Sequence, residues 1–135
     1  MYKEITTVEE AMKRYKEPFD LEKMKEAVSV LPPSISRGML ALAVLQVVTW
    51  SVNNDDPKEP EFKPDYNNSD QYKWSNWFRG GDETGSGFRF FDAFCDWANA
   101  DTRGGARLAC KDEERALHVK QYFEEQYKEL FLILK

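Results

Sequence analysis

The chain has 135 residues, 41% of them hydrophobic, with 19 Lys and Arg against 24 Asp and Glu and a net charge of -5. That is enough apolar material for a single compact domain spanning 1–135, and it is too acidic for a generic phosphate-backbone binder unless one face concentrates the basic residues. One histidine, His118, and two cysteines, Cys95 and Cys110, exclude a His-rich or four-Cys metal centre and a disulfide scaffold, while carboxylate sites stay open.

No basic start leads into an apolar stretch, so a secretory signal is not expected and the expected compartment is the cytoplasm. The most apolar run, Gly38 to Val48, is 11 residues with Gln46 inside it. A membrane span needs about 20 residues, so the run reads as a buried helix and no membrane partner is expected. Excess negative charge falls in two places, a polar connector over 54–71 and the C-terminal 112–135. Neither forms a block of like charge long enough for a nucleic-acid arm.

The first helix is expected to start at Thr6 or Thr7, either of which has a glutamate at capping-box spacing, with Val8, Ala11, Met12 and Tyr15 as its apolar stripe. Pro18 opposes continuation, and Asp20 is placed to cap a second helix from Leu21 to about Val28. After Pro32 and Pro33, Ser34 is the expected cap of a central third helix reaching about Asn53, with a stripe of Ile35, Met39, Leu42, Leu45, Val48 and Val52. Pro57, Pro60 and Pro64 then keep the connector in loop. Its Asp55, Asp56, Glu59, Glu61 and Asp65 lack the spacing of a calcium loop.

Three strands are expected next, from Tyr72 to Phe78, Gly85 to Phe94 and Ala106 to Cys110. A bulge or turn near Asp92 would reconcile the aromatic positions of the second. The glycines between the first two strands accompany Asp82 and Glu83 and lack the Gly-Lys-Ser/Thr and helix of a phosphate loop, so they read as a hairpin. Gly104 and Gly105 read as a turn. Asp112 caps a final helix reaching about Leu134, with Ala116, Val119, Phe123, Tyr127, Leu130, Phe131 and Leu134 as its stripe. The expected fold class is therefore α+β: N-terminal helices, an antiparallel sheet of about three strands, and a long C-terminal helix packed on it.

His118 lies off the main stripe and reads as a surface or boundary residue. Cys95 and Cys110 read as packing thiols at the ends of adjacent strands, and Ser86 lacks a nucleophile elbow. No catalytic, cofactor or metal residue is assigned, and no cofactor is expected.

The apolar helix ending in SVNND, the connector, YKWSNWF, SGFRF and GGARLACKDEERALHVKQYFEEQYKELF together resemble a family of small proteins without assigned function from Bacteroides-type bacteria, their prophages and phages. The resemblance spans about residues 6 to 132 and is strongest at Lys73, Trp74, Trp77, Phe78, Ser86, Gly87, Phe88, Phe90, Arg107, Leu108, Cys110, Lys111, Glu114, Phe123 and Tyr127. Ala106 stands where the family usually has serine, and Asn76 where it commonly has proline. The resemblance implies a phage or mobile-element context and transfers no reaction.

The leading expectation is a non-catalytic binding or structural accessory domain that recognises a protein partner or a second copy of itself. The candidate surface combines Trp74, Trp77, Phe78, Phe88 and Phe90 with Lys73, Arg79, Arg89 and Arg107 as polar anchors. Single-stranded nucleic-acid binding, with Trp74 or Trp77 stacking on a base, is the alternative. A small hydrolytic enzyme using Asp82, Glu83 or His118 is the third.

Overall fold

The computed structural model describes residues 1–65, 67, 68, 70–79, 89–96 and 108–131, the side chains of 77–79, 89–96 and 131 excepted. A 3-10 turn, Tyr2–Glu4, leads into helices α1 (Val8–Arg14), α2 (Leu21–Val28) and α3 (Pro33–Asn53). Strands β1 (Lys73–Arg79) and β2 (Arg89–Asp96) follow, and α4 (Glu113–Phe131) comes last.

The helix starts follow local hydrogen-bond chemistry. Thr7 accepts from the Glu10 N–H, Asp20 from the Lys23 N–H and Asp112 from the Arg115 N–H, each satisfying a donor that the first helical turn leaves free. The start of α3 differs from expectation. Pro32 is its N-cap and Pro33 its first residue, so the fixed backbone angle of proline sets the start and Ser34 lies inside the helix.

The three-strand α+β expectation is corrected: the protein is mainly helical. The described strands form only an antiparallel pair, β1 with β2. Among the described residues the expected third strand reduces to one bridge, in which the backbones of Trp74 and Cys110 exchange hydrogen bonds of 2.8 and 2.7 Å. Leu108, Ala109 and Cys110 are all buried, so the alternation that a half-buried strand requires is absent. Within the pair the register shifts between Trp77 and Phe78, whose partners are Asp92 and Phe90, which places the bulge at Phe91 beside Asp92. Of the expected hairpin loop at 79–87 only Arg79, the last residue of β1, is described, and the turn expected at Gly104 and Gly105 lies outside the described residues.

The core forms around the C-terminal half of α3, where Leu45, Val48 and Val52 meet Ile5, Ala11, Ala116, Val119, Phe123 and Tyr127. Burying each large apolar side chain there contributes roughly 1.5–3 kcal/mol. α4 covers α3 more than the strands, and its backbone leaves helical geometry at Phe123. The expected α3 stripe fails at its start, because Ile35 and Met39 are 50% and 43% exposed. By length and composition α3 would reach across a membrane. Here its second half is enclosed by the 3-10 turn, α1 and α4, as its apolar circumference demands.

Candidate functional site

The expected aromatic surface is only partly placed. Lys73 is 1% exposed, and its Nζ donates to the carbonyls of Asn68 and Gln71 at 3.0 and 2.8 Å. It is an interior anchor of the loop before β1, not a solvent-facing phosphate contact. Trp74 is half-buried against the core. Trp77, Phe78 and Arg79 occupy β1 opposite Asp92, Phe90 and Arg89 of β2. Phe88 and Arg107 lie outside the described residues, as do Asp82, Glu83 and Ser86.

Two groups that could react, the Cys110 thiol and the His118 imidazole, are buried. Burial, reinforced by the charge of Asp112, pushes the Cys110 thiol up to about 12, so almost no thiolate forms near neutral pH. His118 is buried, which corrects the surface reading: its Nε2–H donates to the Ile5 carbonyl at 2.8 Å, and its ring packs against Tyr2 and Tyr122. No group of three His, Cys, Asp or Glu able to hold a metal occurs among the described residues.

Two concavities stand out among the described residues. The larger, about 340 Å³, is an apolar groove between Val8 of α1, Leu21 of α2, Leu40, Ala41 and Val44 of α3, and Gln126 of α4. Lys25 and a forked ion pair lie on its rim, where Arg37 donates to both carboxylate oxygens of Glu129 at 2.8 and 2.7 Å. The smaller, about 130 Å³, lies on the opposite course of α3, against Gln46, Thr49, Trp50 and Asn53. Tyr15, Lys16, Phe62, Pro64 and Ala109 complete it.

The polar connector builds the wall of this second pocket, which corrects its reading as a merely solvated link. Asn54 accepts from the Phe62 N–H at 2.7 Å, and one oxygen of Glu61 accepts from the Trp50 indole N–H and from Lys16, each at 2.9 Å. These contacts with Trp50 and Lys16 hold the Glu61 carboxyl below the usual carboxylate range. Asn53 uses its amide on both sides, donating to Ala109 and accepting from the Lys111 N–H. The sequence did carry a signal for this pocket. Gln46, Thr49 and Asn53 interrupt an otherwise apolar helix at helical spacing, so they share a face.

The chain matches no family model, no curated protein and no solved structure.

Proposed function

We propose that the protein is a non-catalytic binding domain that takes apolar side chains of a protein partner into the groove between α1, α2, α3 and α4. The observation that carries this reading is the groove itself: about 340 Å³ of mainly apolar surface with a charged rim and no reactive group in its lining. The withdrawal of the Cys110 thiol and the His118 imidazole into the core supports binding over bond-making. The burial of Lys73 gives no support to nucleic-acid recognition through that residue. For the setting, we propose a cytoplasmic phage or mobile-element accessory role, supported by the motif resemblance.

The test uses the full chain as bait in host extract, alongside Leu40→Asp and an Arg37→Ala variant, each first checked for native circular dichroism and melting. A partner retained by the native chain and lost by folded Leu40→Asp is the expected result. Equal capture by all three proteins overturns the groove as the binding surface.

A further inference from the structure

Resting on the larger groove as the binding surface, we infer that its occupant is an amphipathic helix of a partner protein with carboxylate side chains beside its apolar stripe. This adds the conformation and the charge of the occupant to the reading above.

Conformation follows from what the walls offer. Among the described residues the groove is lined by α1, α2, α3 and α4, with no residue from a strand. Helices spend their backbone N–H and C=O groups on themselves, so an extended chain entering between them finds no ladder to pair with. A helix arrives with its backbone already satisfied and inserts side chains alone.

Length and volume agree with that occupant. The α3 floor runs from Arg37 through Leu40 and Ala41 to Val44, seven residue steps or about 10.5 Å. Side chains at i, i+3 or i+4, and i+7 of an entering helix cover the same distance. The volume of about 340 Å³ is the share of about eleven waters, close to the heavy atoms of three leucine-sized side chains.

Charge selects the flanking residues. The chain carries a net charge of -5, yet the ionic residues of the lining, Lys25 and Arg37 against Glu129, sum to +1. Arg37 spends two of a guanidinium's five donors on Glu129 and its side chain is 50% exposed, so donors remain for a second carboxylate. Lys25 touches Glu22 at 3.3 Å, with the two side chains 51% and 82% exposed. A pair so open to water holds weakly, and Glu22 is not among the lining residues, so Lys25 can turn to an incoming acid. A basic segment would instead meet two cations with one carboxylate to offset them.

The test pans the full chain against a displayed library of random peptides long enough for about four helical turns, with folded Leu40→Asp as counter-selection. Selected sequences are then synthesised and titrated by fluorescence anisotropy and circular dichroism. They should carry apolar residues at i, i+3 or i+4, and i+7 with Asp or Glu at adjoining positions, and they should gain helix on binding. Changing those acids to lysine should weaken binding at least about threefold, and Lys25→Glu, at an exposed position that tolerates exchange, should erase or reverse the preference. Should Leu40→Asp lose its fold, Lys25→Glu carries the charge test alone. Selected peptides with no acidic bias, or bound without gaining helix, overturn this inference and leave the groove as an apolar docking surface. Failure of every peptide to distinguish the native chain from folded Leu40→Asp overturns both readings, as does saturable binding of decanoate with no peptide selected. A dimer in sedimentation that Leu40→Asp breaks assigns the groove to a second copy and also overturns the inference.

Discussion

Asp55 and Arg115 stand 60 residues apart in the chain, and their side chains meet at 2.8 Å. The Asp55 carboxylate is fully buried and also accepts from the Tyr2 N–H at 2.6 Å. Arg115 donates in addition to the Val52 carbonyl and to Asp112, and its guanidinium lies 4.6 Å from the Tyr2 ring. One ion pair thus ties together the N-terminus, the end of α3, the connector and the start of α4.

Burial alone would raise the Asp55 carboxyl, but the Arg115 and Tyr2 contacts outweigh it and hold the group below its ordinary value of 3.8. A carboxyl lowered in the folded state contributes stability above its unfolded pKa, and that contribution is lost as pH falls through the folded value. Asp55→Asn should therefore cost about 3 kcal/mol at pH 7, the loss expected on breaking a buried pair. Its deficit relative to the native chain should hold steady from pH 7 to 5 and shrink below pH 4. Urea unfolding across that range measures it, and a deficit that does not shrink as pH falls below 4 would count against the pair as its cause.

Local features were legible in the sequence and distant ones were not. Thr7, Asp20 and Asp112 each act on an N–H three residues away, so spacing alone narrowed the start of α1 to Thr6 or Thr7 and marked the starts of α2 and α4. The apolar period of α4 likewise marked Ala116, Val119, Phe123 and Tyr127 as core. Asp55, by contrast, sits in a stretch whose composition reads as solvent-exposed, and its partners lie 53 and 60 residues away. His118 finds its acceptor 113 residues back, at Ile5. The third strand was misread because Leu108, Ala109 and Cys110 are buried together, which period-two alternation does not allow for. Of the candidate site, the helical spacing of Gln46, Thr49 and Asn53 was visible, but the connector that closes over it acts through pairings that spacing does not encode.

Gly38 lies inside α3, where glycine has the poorest helix propensity apart from proline. A Cβ added there would lie 3.9 Å from the Glu129 carbonyl oxygen of α4, an ordinary contact. The approach of the two helices does not require glycine. Gly38→Ala should therefore stabilise the protein by about 0.5–1 kcal/mol, mainly by restricting the unfolded chain, and raise the melting temperature by about 2–5 °C. A lower melting temperature would show that the α3–α4 contact is closer in solution.

Cys95 pairs with Trp74 on one side and Cys110 pairs with it on the other. Each step between antiparallel neighbours is about 4.5–5.5 Å, which puts the two cysteine Cα atoms about 9–10 Å apart. A disulfide requires under about 7 Å, so intact protein kept in air should show no Cys95–Cys110 crosslink by non-reducing peptide mapping. With its thiol pushed up to about 12, Cys110 should react with iodoacetamide at pH 8 at least a hundredfold more slowly in the native protein than in guanidinium chloride. Equal labelling rates in the two conditions would contradict its burial.

Lys73 makes the sharpest separation between the surface expected from the sequence and the fold observed. Its ammonium bonds to the Asn68 and Gln71 carbonyls while the residue is 1% exposed, so its charge serves the loop before β1. Lys73→Met preserves much of the stem volume and removes the charged donor, leaving those carbonyls without it. Charge-assisted hydrogen bonds are the stronger kind, and their loss from a buried site should cost about 2–3 kcal/mol in a denaturation experiment. The same variant, below its melting temperature, should bind a fluorescent oligothymidylate no differently from the native chain. A selective loss of oligonucleotide affinity with stability unchanged would instead place Lys73 at a phosphate-facing surface.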